Sequence, residues 1–490
     1  MRSGILYLII FLLHGLAYNN PSMQILTFGV SSIFFFLKYR YLKKSVAHMS
    51  TRFVLLMAYS LPFSWRSIIA GDYGALPLSW FYLFGLFFIV SLVLVKRKWV
   101  IPKNMLPILL TSIFVLIFSI IPILNSNPDF RSQAISQFIV IMFNFVMILS
   151  SLFVLNTMNE QDILKFKKIF VLGGYYTGLM LVLQFALFKL ANFEFGKIDF
   201  LFNRELYYYL FTDVSHGTLY LALTIFCAFD MFKQLKRLDK LKYLFFIIIS
   251  LTGAALTSAR TGLVILFAFL FIYILFKQKG FLKKTLSIIS FGLLLYVSVN
   301  IFLIVRPQTD LASAFSGSGR IEGYLSALDF LFKKPLIGYG FSRDYISNLL
   351  GYDIPHLSIL QYSIHGGIFY ALIMYYNQFL IFLYSAKRNS TFAWLIAIVI
   401  VGTCLIPDMF ATRFLTIIVM VALMETSSYE VSFFAKNPPT QKSKGDLFTM
   451  EAYYSSSGLK PPLSNLPTAP PKEGKTSFKR FPFIKSTFLV

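Results

Sequence analysis

Long apolar runs separated by short basic breaks organise this chain. Runs over residues 4–18, 22–37, 53–70, 77–95, 105–124, 134–155, 169–190 and 214–232 are followed by 243–258, 261–276, 285–305, 357–384, 391–407 and 411–425. A helix needs about 20 apolar residues to cross the hydrocarbon core of a bilayer. The pattern therefore predicts an all-α polytopic membrane bundle of about 12 to 14 transmembrane helices, with the first two runs and the last short for a crossing. Arg2 ahead of an apolar stretch has the outline of a signal peptide. Ala17-Tyr18-Asn19 makes a poor cleavage site, however, and further spans follow.

Composition excludes a soluble fold. Hydrophobic residues make up 57% of the 490 residues and charged residues 13%, about half the charged share of a soluble domain. Lysine and arginine gather in alternate loops: Lys38 to Lys44, Lys96 to Lys98, Lys165 to Lys168, Lys233 to Lys242, Lys277 to Lys284, and Lys387-Arg388. The positive-inside rule makes that side cytoplasmic, with both termini on it. The net charge of +24 is then a topology signal, and no nucleic-acid motif accompanies it. Cys227 and Cys404 lie in apolar runs and offer neither a disulfide framework nor metal-ligand spacing. The expected organisation is a transmembrane domain over 1–430 and a disordered cytoplasmic tail over 431–490. From Asn437 the composition turns to Pro, Ser and Lys.

Two outer loops are long, 191–213 and 306–356, and long loops in compact proteins are often functional. Within the second, Ile321, Tyr324, Leu325, Leu328 and Phe332 recur at helical spacing, which predicts a short amphipathic helix on the membrane surface or over a cavity. The outer positions favour arginine: Arg66, Arg131, Arg204, Arg260, Arg306, Arg320, Arg343 and Arg413. A nearby carboxylate or a lipid headgroup explains any one of them. As a group, on the side where cations are disfavoured, they point to an anionic substrate, which guanidinium grips bidentately. Arg260 is the sharpest, in a short turn between two apolar runs with Thr257, Ser258 and Thr261 beside it. His356 follows Pro355 at the head of a span, where the helix N-terminus favours a neutral imidazole able to accept a proton. His216 is a reserve candidate, and His365 reads as a packing or helix-contact residue.

Three segments in order carry a family resemblance. They are Leu256-Thr257-Ser258-Ala259-Arg260-Thr261-Gly262; Gly319-Arg320-Ile321-Glu322-Gly323-Tyr324 with Lys334-Pro335-Leu336-Ile337-Gly338-Tyr339-Gly340; and His356-Leu357-Ser358-Ile359-Leu360-Gln361 with Gly366-Gly367-Ile368. Together they resemble the O-antigen ligase and O-antigen polymerase superfamily, and Phe202-Asn203-Arg204 is similar to its upstream outer-loop arginine. The sequence departs from the family at Ala259, Thr261, Tyr324 and Leu357. The resemblance implies a GT-C-like bundle in the bacterial inner membrane, with a metal-independent, cofactor-free active site on the periplasmic face. It implies a donor glycan on undecaprenyl pyrophosphate, a glycan acceptor, and a chain-length regulator and flippase as partners. Arg260, Arg320 and Arg204 would bind the pyrophosphate, and His356 would activate the acceptor hydroxyl.

Polymerase and ligase remain alternatives. The extra spans and the long outer loop favour a polymerase joining lipid-linked repeats into O-antigen, capsule or exopolysaccharide. A ligase would move the glycan to lipid A core or to protein. A polysaccharide transporter or flippase would show two similar halves with ionisable groups near the midplane, and no such halves are visible. The topology is testable with single cysteines at Ser316 and Ser443. An impermeant thiol reagent should label Ser316→Cys from outside and Ser443→Cys only after permeabilisation; labelling of both from one side overturns the orientation.

Overall fold

The computed structural model describes residues 2–71, 78–94, 101–201, 204–232, 235–277, 280–305, 320–351, 356–388, 390–406, 408 and 412–426. The chain divides into two units, Met1–Asn437 and Pro438–Val490. The tail expected over 431–490 lies outside the described residues, as do 306–319 and 352–355 of the expected long loop.

The first unit is built of helices: α1 (Arg2–Asn19), α2 (Ser22–Ser45), α3 (Met49–Ser60), α4 (Trp80–Leu94), α5 (Leu106–Phe118), α6 (Ile120–Leu124), α7 (Arg131–Ser151) and α8 (Glu160–Ala191). A two-stranded hairpin follows, β1 (Lys197–Leu201) and β2 (Arg204–Tyr209). Then come α9 (Val214–Phe232), α10 (Arg237–Leu256), α11 (Thr261–Lys277), α12 (Phe281–Val305), α13 (Arg320–Lys333), α14 (Arg343–Leu350), α15 (Ser358–Gly366), α16 (Ile368–Lys387), α17 (Thr391–Gly402) and α18 (Arg413–Met424). Among the described residues seven helices are long and apolar enough to cross a membrane, and five more are apolar but shorter. The long ones include Glu160–Ala191 and Val214–Phe232, the second matching its apolar run residue for residue.

The mostly helical unit agrees with the expected all-α bundle, and two apolar runs divide differently from the expectation. A short antiparallel hairpin occupies part of the 191–213 loop. Its second strand holds the β-favouring run Leu206-Tyr207-Tyr208-Tyr209. Buried Gln184 of α8 pins its base, donating to the Phe195 and Lys197 carbonyls at 2.6 and 2.9 Å and accepting from the Tyr209 amide at 3.1 Å. The run 53–70 is no single span: α3 stops at Ser60 and the chain turns through Leu61–Phe63. The run 357–384 breaks at Gly366-Gly367 into α15 and α16.

Lipid offers no hydrophobic drive for helices to associate, so close packing has to do it. Small residues let α8 approach its neighbours. A Cβ on Gly174 would lie 2.1 Å from Thr224 of α9, and one on Gly178 would lie 2.7 Å from the Ser250 backbone of α10. At the lysine-rich end, polar ties fasten α9 to α8, α11 and α17. Asp230 accepts from Lys167 at 3.1 Å, Thr391 at 2.8 Å and Tyr273 at 2.8 Å, so its carboxylate is satisfied from three helices.

The break at Gly367 has a specific cause. Its φ of 89° is open to glycine, and a Cβ there would sit 2.0 Å from the Leu336 carbonyl. Ile368 donates to Pro335, Tyr339 to the Ile364 carbonyl and Gly340 to the His365 carbonyl, at 2.8, 2.8 and 2.9 Å. The Pro335–Gly340 segment is thereby laid along the end of α15. Gly367→Val should destabilise the protein by at least about 2 kcal/mol, from strain and clash together. Gly292→Ala, in an exposed helical position with nothing within 4 Å of the added carbon, should be neutral or slightly stabilising. Thermal unfolding of the two variants in detergent tests the contrast, and equal melting temperatures would refute it.

Candidate functional site

The first segment, the head of α9 and the His356 segment form the candidate site, linked through Thr218–Thr257 and through the influence of His356 on Asp213. The first forms the turn between α10 and α11. Ser258 adopts a left-handed conformation, φ 63°. Thr257 donates to the Ala254 carbonyl at 2.7 Å and accepts from the Ala259 amide at 3.3 Å. Its hydroxyl also lies 2.6 Å from that of Thr218 on α9, and a Cβ on Gly262 would lie 2.5 Å from the Thr218 backbone. Thr257 is therefore committed to shaping this turn and locking it to α9, rather than standing ready as a substrate hydroxyl. From Thr257 to Gly262 every residue is buried except Arg260, which is half-buried.

The head of α9 is the second component. The Asp213 carboxylate accepts the Ser215 amide at 2.6 Å and the Asp213 carbonyl accepts the Gly217 amide at 3.2 Å, capping the helix. Buried His216 sits in the first turn. Burial pushes the Asp213 carboxyl up, but His216, the Ser215 amide and His356 outweigh it and hold it below the ordinary carboxylate range. Asp213 is therefore anionic at neutral pH and close enough to both imidazoles to feel their charge. Beneath this head lie stacked and tilted rings: Trp65 and Phe211 at 4.5 Å, Phe211 and Tyr220 at 5.9 Å, Tyr220 and Phe414 at 6.2 Å.

His356 is the third component, half-buried just ahead of α15. The helix it precedes is clamped at its start: Ser358 donates its amide to Thr403 at 3.0 Å and its hydroxyl to Ile406 at 2.8 Å. The Tyr324 hydroxyl of α13 donates to the His356 carbonyl at 3.4 Å. The amphipathic helix expected in the outer loop is thus present as α13 and reaches the candidate histidine. Deeper in α15 a buried relay fixes the helix. Tyr362 donates to Asp408, the Asp408 amide donates to Gln361 at 2.6 Å, and Gln361 lies 3.3 Å from His365 Nε2. His365 Nδ1 lies 2.6 Å from the Gly340 carbonyl, which assigns the proton to Nδ1 and leaves Nε2 to accept from Gln361. His365 is a structural contact, in keeping with its sequence reading. The relay itself gave no sequence signal, because Asp408 lies 46 and 47 residues from its partners Tyr362 and Gln361.

The remaining arginines separate. Arg320 begins α13 one turn before Tyr324, whose hydroxyl reaches the His356 carbonyl. Arg204 begins β2, five residues from Tyr209 and so about 17 Å along the strand from the anchored hairpin base. The described part of each is its backbone. Arg66 and Arg413 are buried: Arg66 donates to the Ala70 carbonyl at 3.1 Å and covers Tyr18 at 4.1 Å, and Arg413 lies over Trp65 at 5.4 Å. Arg131 and Arg343 are exposed, and Arg306 lies outside the described residues. In comparisons with known proteins, no family model matches this chain, and no curated protein matches it.

Proposed function

We propose that this chain is a membrane glycosyltransferase that polymerises undecaprenyl-pyrophosphate-linked oligosaccharide repeats on the outer face of the bacterial inner membrane. One observation carries the proposal. Arg260, Asp213, His216 and His356 come from segments far apart in sequence, and links through Thr218–Thr257, Asp213 and Tyr324 join them at one end of an apolar bundle. Such a set suits transfer from a pyrophosphate donor. Guanidinium groups stabilise the charge that develops on the departing pyrophosphate, and an imidazole removes the acceptor proton. Arg260 and Arg320 are the proposed phosphate ligands, with Arg204 peripheral because the hairpin carries its backbone away from Asp213. His356 is the proposed base. Asp213, held anionic, is a poor proton acceptor at neutral pH and serves as the positioning partner of the imidazoles. The same set serves a ligase, and the products distinguish the two.

Purified protein given a lipid-linked repeat alone should make longer lipid-linked chains; transfer only after addition of a lipid A core or protein acceptor would make it a ligase. Arg260→Lys and Arg320→Lys keep the charge but lose the bidentate fork, so the double variant should be strongly impaired, and full activity would eliminate the clamp. His356→Gln should lower turnover by about 100- to 10,000-fold with donor binding retained. The rate should show an acidic limb that disappears in His356→Gln. An anion beside an imidazole favours its protonated form, so removing the charge lowers the imidazole pKa. Asp213→Asn should therefore move the acidic limb to lower pH. A limb unchanged by Asp213→Asn and His356→Gln would exclude this acid–base pair.

A further inference from the structure

Away from this end of the bundle, α2, α3 and α4 enclose a groove of about 450 Å³, within the range of small-molecule sites. Its walls are aromatic: Phe35, Phe36, Tyr39, Phe53, Trp80 and Phe84. The rings brace one another, with Tyr39 on Phe53 at 5.7 Å and Phe35 against Trp80 and Phe84 at 5.0 and 4.9 Å, so the walls are held apart by packing. Phe36 is 60% exposed and leaves the groove accessible from the side. From Ser32 to Tyr39 it follows α2 for about 10 Å, most of one leaflet's depth of roughly 15 Å.

The charges at the Tyr39 end select the occupant. Lys38 turns inward, 3.2 Å from the Tyr59 hydroxyl and 4.6 Å over its ring. Arg52 is occupied by the Val46 and Ala47 carbonyls, both at 2.8 Å. Arg40, Lys43 and Lys44 are exposed at this end of α2. The Arg40 guanidinium lies 5.9 Å over the Phe36 ring, and Lys43 stands four residues beyond Tyr39, on the same helix face as the wall. An apolar slot one chain wide beneath an arginine and a lysine matches an acyl chain carrying a net-negative phosphate headgroup.

We propose that this groove is a specific site for an anionic phospholipid, with one acyl chain between α2 and α4 and the headgroup phosphate held by Arg40 and Lys43. The site is independent of the glycosyl-transfer proposal, since it shares no residue with it. Trp80 lies in the wall and reports on occupancy. Full-length protein in nanodiscs is titrated with phosphatidylglycerol or phosphatidylcholine bearing brominated acyl chains. The Trp80 signal is taken as the difference between wild type and Trp80→Phe. Brominated phosphatidylglycerol should quench it at a mole fraction roughly tenfold below that needed for phosphatidylcholine, as two cations near the headgroup imply. Arg40→Gln with Lys43→Gln should abolish the preference, Arg40→Lys with Lys43→Arg should keep most of it, and Ser32→Phe, which fills the slot, should weaken quenching by both lipids. Should the double glutamine variant fail to fold, Arg40→Gln alone should reduce the preference. Equal quenching by the two lipids, or a preference untouched by the glutamine substitutions, would overturn the proposal and leave annular lipid only.

Discussion

The contact between Leu336 and Gly367 governs the geometry of the candidate site. Without it an apolar run of 28 residues, 357–384, would continue as one helix, as its hydropathy suggests. The Pro335–Gly340 segment instead pairs with the end of α15 so closely that position 367 has no room for a side chain and takes a φ open to glycine. α15 therefore stops after nine residues, and its axis is free to differ from that of α16. The backbone of residue 356 is fixed from the front by the clamp on Ser358 and from behind by the Gln361–His365–Gly340 relay. A base positioned by such a short, doubly anchored helix can keep its distance from neighbouring groups without relying on a mobile loop.

Polar ties divide the bundle into two regions of different character. At the lysine-rich end, the carboxylate of Asp230 is matched by an ammonium and two hydroxyls, and Arg388 donates to Asn156 and Glu425 at 2.8 Å each. Each group there is satisfied by protein, which suits a fastening role. At the other end the groups that come together differ in kind: a half-buried guanidinium, an anionic carboxylate and two imidazoles. A chain of this composition gains little from burying charge in lipid, so their gathering around one helix head is the feature that most needs a functional explanation.

Much of this was legible in the sequence, and the boundary between what was and was not has a physical basis. Long uninterrupted runs such as 214–232 gave their helices correctly, because apolar length is a local property. The amphipathic stretch Ile321 to Phe332 was legible for the same reason. The split at Gly366-Gly367 was not, although the glycines are plain to see, because it depends on a segment thirty residues upstream lying against them. The hairpin at 197–209 was hidden by its brevity and by an anchor, Gln184, that belongs to the preceding helix. Arg260 and His356 were legible as candidates from their positions between apolar runs. Their relation to Asp213 was not, since it depends on segments far apart in sequence being brought near one another in the fold.

That relation alters what the sequence alone implied for His356. A helix N-terminus opposes positive charge and would keep the imidazole neutral, whereas the Asp213 carboxylate favours protonation. The two influences act in opposite directions on the same ring. The helix effect is worth about 0.3–1 kcal/mol in exposed settings and is confined to the first turn, while His356 stands ahead of the N-cap Leu357. The carboxylate is partly removed from solvent, where charge–charge interactions are less screened. If His356 is the base of the proposed reaction, the Asp213 carboxylate offers a place for the positive charge that the ring gains with the acceptor proton. In the proposed reaction that charge would appear as negative charge builds on the departing pyrophosphate. A base and an anion clamp would otherwise accumulate like charge at one helix head. Asp213, whose carboxyl is influenced by both His216 and His356, would ease that conflict in the proposed reaction.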